Sequence, residues 1–186
     1  MDAIDLLLTR DSALKLEAPG PSAEELDRMF ASAVRAPDHG RLRPWRFVVI
    51  ESDRRAAFGA LMAESLLRRD PAATEEALQR EHGKAMRAPT IVVVAAHVQK
   101  GHRIPEIEQI AAASAATQTI MLAAPAMGYG AMWKTGEPAY DPAVKSALGL
   151  DKADEIIGFL YIGTRTGGVS PVPRPVAAEY VSVWRG

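Results

Sequence analysis

No cysteine occurs anywhere in the chain. That excludes disulfides, zinc thiolates and cysteine nucleophiles together. There is no charge excess of either sign. The 22 Lys and Arg stand against 23 Asp and Glu, for a net charge of −1, which argues against broad electrostatic binding to DNA or RNA. The longest apolar stretch, Ala111 to Ala126, is interrupted by Ser, Thr, Gln and Pro and is short for a membrane span. The opening Met-Asp-Ala-Ile-Asp is acidic and lacks the basic-then-apolar layout of a secretory signal. No Gly-x-Ser-x-Gly elbow is present, no phosphate loop ending in Lys-Ser/Thr and no Rossmann fingerprint with its ribose-reading acid. His82, His97 and His102 do not form an i, i+4 pair that would hold a metal. The expectation from these absences is a soluble, cytoplasmic protein with no membrane, nucleic-acid or metal partner.

What is present is an ordinary globular composition, 48% apolar and 24% charged over 186 residues. Such a chain can bury roughly 70% of its unfolded surface, and it reads as one domain over residues 1–186. Ser22 with Glu25 forms a capping box, followed at helical spacing by Leu26, Met29, Phe30, Ala33 and Val34. Trp45 to Glu51 reads as a buried strand. Helices follow from Asp53 to Arg69 and from Thr74 to Arg87. Thr90 to His97, apolar and β-branched on both faces, belongs in the middle of a covered sheet. Pro105 suits the first turn of a long Ala-rich helix from about Ile104 to Met127. That helix is apolar nearly all round and belongs at the centre or at a subunit interface. Ala131 to Lys134 and Glu155 to Gly163 are further strands. Asp141-Pro142 starts a small helix, and the tail from Thr164 should be extended. Strands separated by helices predict an α+β, three-layer α/β/α body with a central mixed sheet.

Three segments carry possible chemistry. Arg10-Asp11-Ser12 offers a fixed charge and a hydroxyl, and reads as an anion site or as a helix end whose arginine complements the dipole. Residues 35 to 46 hold four arginines, a histidine and a tryptophan between Pro37, Pro44 and their neighbours. Guanidinium groups there could fork onto oxyanions or stack on flat rings, or could be solvated. Met127 to Gly136 brings glycines together with Trp133, Lys134 and Thr135, either a ligand-facing strand end or a helix C-cap feeding a strand.

The ordered set is more specific than its parts. Arg-x-Ser, Arg-Ala-Pro-Asp-His-x-x-x-x-Pro-Trp, an Ala-rich helix, Gly-x-Gly-x-x-Trp-Lys-Thr-Gly and Gly-Phe-Leu-Tyr-Ile-Gly-Thr follow one another. This resembles the FMN-dependent nitroreductase family, most closely its short, single-domain YdjA-type branch of NAD(P)H nitroreductases. The resemblance implies a homodimer with FMN at the subunit interface. It implies NAD(P)H as co-substrate, with a nitro compound, quinone or similar small molecule as electron acceptor. Carried over by position, Arg10 and Ser12 would contact FMN, chiefly at its phosphate end, with Asp11 supplying backbone. Arg35 and His39 would reach the flavin from the other subunit, with Arg35 the candidate for stabilising charge near N1 and O2. Trp133, Lys134 and Thr135 would complete the cofactor site. Met121, Leu122, Ala123, Ala124, Pro125 and Ala126 match the segment tied to nicotinamide binding. No side chain is assigned as catalytic acid, base or nucleophile, because the flavin itself would carry the hydride. Other activities on the same scaffold are reduction of enones, aldehydes or halogenated substrates; a non-catalytic FMN-binding or storage protein is the alternative class. Three positions depart from the family pattern: Asp11 stands where a second basic residue is usual, Arg43 where glutamine is usual, and Pro125 falls inside the long helix, where a kink is expected.

Overall fold

The computed structural model describes residues 2–168 and 173–186. Helix α1 (Ala3–Thr9) is capped by the Asp2 carboxylate, which accepts from the Ile4 and Asp5 N–H groups. Strand β1 (Leu16–Glu17) follows, then α2 (Ala23–Ala33) behind a complete Ser22–Glu25 capping box. Next come β2 (Trp45–Ile50), α3 (Arg55–Arg69), α4 (Glu75–Gly83) and β3 (Thr90–His97). Helix α5 (Glu106–Ala126), β4 (Gly130–Lys134), α6 (Pro142–Ala147) and β5 (Asp154–Arg165) complete the body. Residues 169–172 of the predicted extended tail lie outside the described residues.

The three-layer α+β arrangement is as expected, with one correction: the sheet is antiparallel, not mixed. Strand β5 lies between β3 and β4 and runs against both, β2 pairs antiparallel with β3, and β1 pairs antiparallel with the end of β5. The connections explain this. Two successive helices, α3 and α4, return the chain to the end it left, so β3 must reverse β2. The single long helix α5 does make a crossover that leaves β3 and β4 pointing the same way, but β5 inserts between them. Strand β2 is also an edge strand with a half-buried, partly exposed pattern, not the buried strand its composition suggests.

The period of two along β3 divides the core. Ile91, Val93 and Ala95 join Phe58, Met62, Phe159 and Tyr161 on the α3 and α6 side. Val92 and Val94 join Met29, Ala33, Ile120, Ala124, Leu160 and Ile162 on the α2 and α5 side. Pro105 is the N-cap residue of α5 and not part of its first turn. Pro125 is the penultimate residue of α5, so its missing N–H falls in the last turn and no mid-helix kink arises. Only Glu106 and Glu108 are charged among the residues of α5.

A polar tie on this face joins α2 to the turn between α5 and β4. The Tyr129 hydroxyl donates to Glu25 Oε2 at 2.7 Å. The Ser22 N–H, then Tyr129, hold the Glu25 carboxyl below its ordinary 4.5. The same bond, then partial desolvation, holds the Tyr129 phenol above its ordinary 10.0. A lowered carboxyl stabilises the fold above about pH 4.5 and loses that contribution as pH falls through the lower folded value; a raised phenol stabilises below about pH 10 and loses it as pH rises further. Melting temperatures of the wild type and Tyr129→Phe, compared from about pH 3 to about pH 11, are therefore expected to differ most near neutrality and to converge at both ends. A difference independent of pH would refute the assignment.

Candidate functional site

A cavity of about 810 Å³ opens between the extended segment 10–17, the turn before β3, the outer end of β4 and the chain at 173–175. Its size suits a small-molecule or cofactor site, which typically occupies roughly 300–1,000 Å³. Segment 10–17 is held in place from its middle: the Ala13 N–H donates to the Ala131 carbonyl at 2.9 Å, and Leu16 is buried against Gly130. A smaller cavity of about 280 Å³ shares Arg10 and Asp11 with the first and is floored by Met121, Pro125 and Tyr129.

The larger cavity is cationic. Arg10, Lys15, Arg87, Lys134 and Arg174 line it, against Asp11 and Glu17. Both acids are neutralised: Lys15 pairs with Glu17 at 2.6 Å, and Asp11 is clasped by the Arg165 guanidinium through two bonds, one of 2.9 Å to Oδ2 and a shorter one to Oδ1. The Asp11 bond is also the main reason the Arg165 pKa is raised. Asp11 thus does not bring an open negative charge to the anion site. Among the described residues, Arg10, Arg87, Lys134 and Arg174 have no acidic partner within ion-pair distance. Such a surplus of cations, beside the exposed Ser12 hydroxyl and the apolar Leu14 and Met132, fits an anionic ligand that also carries apolar surface.

The positions expected at a site do not all meet in one place. Arg10, Asp11, Ser12 and Lys134 line the large cavity together. Trp133 does not: along β4 alternate residues face opposite ways, so Met132 and Lys134 face the cavity while Trp133 packs in the α2 and α5 core, its indole N–H donating to the Ile157 carbonyl at 3.2 Å. Thr135 is exposed just beyond the strand. Met121 and Pro125 line the small cavity, while Ala124 is fully buried against the sheet and Leu122, Ala123 and Ala126 do not reach that lining.

Arg35 and His39 lie elsewhere. Arg35 is exposed just past the end of α2, and His39 Nδ1 sits 2.6 Å from Glu108 Oε2 at the start of α5. From Glu108 to Pro125 is about 25 Å along the helix axis. Within one chain His39 and the cavity are at opposite ends of α5, and Arg35 lines neither cavity. Sequence reasoning passed over Lys15, Arg87 and Arg174. For Arg87 a signal existed: Arg87-Ala88-Pro89 before β3 repeats the tripeptide Arg35-Ala36-Pro37 before β2.

One further group of ligand-type atoms, from His97, Asp151 and Asp154, lies within 4.8 Å. Both Asp154 oxygens are engaged, one with His97 Nδ1 and one with the Asp151 N–H, each at 2.7 Å. The group is a staple between β5 and the end of β3. No helix among the described residues is long and apolar enough to cross a membrane.

Comparison with known proteins places this geometry in a family. The sequence model described as "Nitroreductase family" matches residues 7–164. The protein named "Putative NAD(P)H nitroreductase YdjA" of Escherichia coli (strain K12) is 36% identical over 164 residues, which cover 88% of each chain. Among solved structures, a nitroreductase-like family protein from Bacillus cereus superposes with a TM-score of 0.85 at 22% identity, covering 100% of this chain and 97% of that one. A variant of the FMN and NADPH-dependent nitroreductase NfnB from Sphigopyxis sp. strain HMH superposes at 0.81 with 21% identity, covering 100% of both chains.

Proposed function

The chain belongs to the nitroreductase family, and from that premise we propose that it is an FMN-dependent oxidoreductase. In this reading it works as a homodimer, takes hydride from NAD(P)H and reduces a nitro compound, quinone or similar acceptor. The observation that carries the reading is the cavity in which Arg10, Ser12 and Lys134 meet with surplus positive charge beside an apolar wall. Bound FMN would supply the hydride and electron chemistry. Arg10 and Ser12 would hold its phosphate end through charge-assisted bonds, and Lys134 would add positive charge from the strand edge. Met121 and Pro125 would form the apolar floor on which a nicotinamide rests.

The separation of Arg35 and His39 from the cavity supports the dimer. One cofactor cannot touch both ends of α5 in one copy. Two copies packed antiparallel along this helix would bring the loop of one over the cavity of the other. Helix α5 has the composition for such packing, being apolar around its circumference, with Ile107 open to solvent. Helix α1 and the tail add Ile4, Leu7, Leu8, Tyr180, Val183 and Trp184, all exposed, Trp184 by 89%. Apolar side chains in that number call for a covering surface.

Purified protein is expected to be yellow with bound FMN, to sediment as a dimer, and to bleach when NADPH or NADH is added without oxygen. Arg35→Ala is expected to weaken FMN binding or to shift its reduction potential. A colourless protein that takes up no FMN would overturn the reading. A yellow protein that neither nucleotide bleaches would make it a flavin-binding module.

A further inference from the structure

The loop between α2 and β2 is built against local backbone preference. Gly40, Arg41 and Arg43 have φ of 74°, 57° and 50°. Every other left-handed position among the described residues is glycine. Two arginines therefore occupy conformations that cost a side chain free energy and persist only where the surroundings over-determine them. The surroundings do so here. Asp38 Oδ2 accepts the Arg43 N–H at 2.7 Å, and the Arg46 guanidinium donates to the Arg43 and Trp45 carbonyls at 3.1 and 2.9 Å. His39 is pinned to Glu108, and Gly40 packs against the Ile104 side chain.

What this rigid turn presents is charge. Arg41 and Arg43 are exposed. Neither guanidinium has an acidic partner among the described residues, since Asp38 is spent on a backbone N–H. Strain concentrated at two exposed arginines, held by these five contacts, serves no packing of the arginine side chains themselves. It is the arrangement expected where guanidinium forks are aimed at a planar or tetrahedral oxyanion.

We propose that Arg41 and Arg43 form an anion clamp at the mouth of the partner copy's cavity, selecting a reaction partner that carries a phosphate or carboxylate group. The proposal rests on the two-copy reading above, which lays this loop over that cavity. The anion could belong to the hydride donor, as the 2′-phosphate that NADPH has and NADH lacks, or to the electron acceptor.

The test uses FMN-loaded wild-type protein, Arg41→Gly, and the double variant Arg41→Gly with Arg43→Gly. Glycine removes the guanidinium while easing the backbone, so the melting temperature is expected to hold or rise. Four anaerobic KM values are compared in pairs: NADPH with NADH, and 4-nitrobenzoate with 4-nitrobenzyl alcohol. Binding of unreactive benzoate is followed separately by its perturbation of the flavin absorption spectrum. In the double variant the KM for an anionic member of at least one pair is expected to rise about tenfold or more, the loss of a charge-assisted contact. Its neutral or 2′-unphosphorylated counterpart and the FMN content stay as in wild type. A change confined to NADPH assigns the clamp to the 2′-phosphate. A change confined to nitrobenzoate, with weakened benzoate binding, assigns it to the acceptor. Both ratios unchanged in an active, yellow double variant would overturn the clamp and leave the oxidoreductase reading standing. A wild-type protein that holds no FMN would overturn both.

Discussion

Replacing Gly158 by alanine is expected to lower the melting temperature by roughly 6–12 °C, the equivalent of about 3 kcal/mol in a chain of this size. Gly158 lies in β5 opposite Val94, at the irregularity in the β3–β5 register. A Cβ there would collide with Trp133 Nε1, fall 2.6 Å from Trp133 Cδ1 and come within 2.9 Å of the Lys134 carbonyl. Backbone strain plays no part, because Gly158 does not have a positive φ. The whole cost is steric, and it falls on an aromatic ring in a filled core and on Lys134, the next residue, which faces the cavity. Overpacking alone costs about 1–3 kcal/mol, and ejecting the indole adds lost burial and the bond to the Ile157 carbonyl. The measurement is thermal unfolding followed by circular dichroism, with tryptophan emission recorded alongside. Trp184 is exposed already, while Trp45 is half-buried in the same core, so emission is read in a Trp45→Phe background, where a red shift reports Trp133. Melting within about 2 °C of wild type with unchanged emission would show that the indole is not seated on Gly158.

Trp133 also shows what could be read from the chain and what could not. Its strand was legible, and alternation alone puts Lys134 and Trp133 on opposite faces; which face meets the cavity depends on β5, whose partners lie in distant sequence. The N-caps Ser22 and Asp141 were legible because capping is local chemistry, complete within four residues. The run Thr90–His97 was legible because it is apolar on both faces. The order of the sheet was not. Ile91 meets Tyr161 and Gly130 meets Gly163, and nothing local to either segment states that β5 will enter between β3 and β4. The same holds at the site. Arg10-Asp11-Ser12 was found as a motif, yet the partner that makes Asp11 harmless, Arg165, lies 154 positions away. Arg35 and His39 were grouped with Arg10 by family pattern, whereas within one copy the length of α5 keeps His39 away and Arg35 lies outside both cavities.

Removing the Arg165 guanidinium is expected to damage cofactor binding more than its distance from the cavity mouth suggests. Arg165 lines only the small cavity, but Asp11 lines both. The Asp11 side chain is 11% exposed and that of Arg165 28%. In Arg165→Met the Asp11 carboxylate loses both guanidinium bonds, and its negative charge is less compensated beside Arg10, the residue proposed to meet the FMN phosphate. Breaking a fully buried pair costs about 3–5 kcal/mol; with Arg165 partly exposed, about 2 kcal/mol is expected, a fall of roughly 4–8 °C in melting temperature. Repulsion between Asp11 and a phosphate a few ångströms away is worth about 2 kcal/mol at an intermediate dielectric, so FMN should bind on the order of 10- to 100-fold more weakly at low salt. The loss should shrink as salt is added. Asp11→Asn in the wild-type background removes the charge while keeping a hydrogen-bonding side chain, and should bind FMN at least as tightly as wild type. The double variant Asp11→Asn with Arg165→Met should regain most of the affinity lost by Arg165→Met, because the repulsive charge has gone. Titration of the apoproteins with FMN, followed by quenching of flavin fluorescence, reads all four corners of this cycle without requiring turnover. If Arg165→Met binds FMN as wild type does, with the same dependence on salt, then Asp11 does not face the phosphate and the proposed placement of the cofactor in this cavity is wrong.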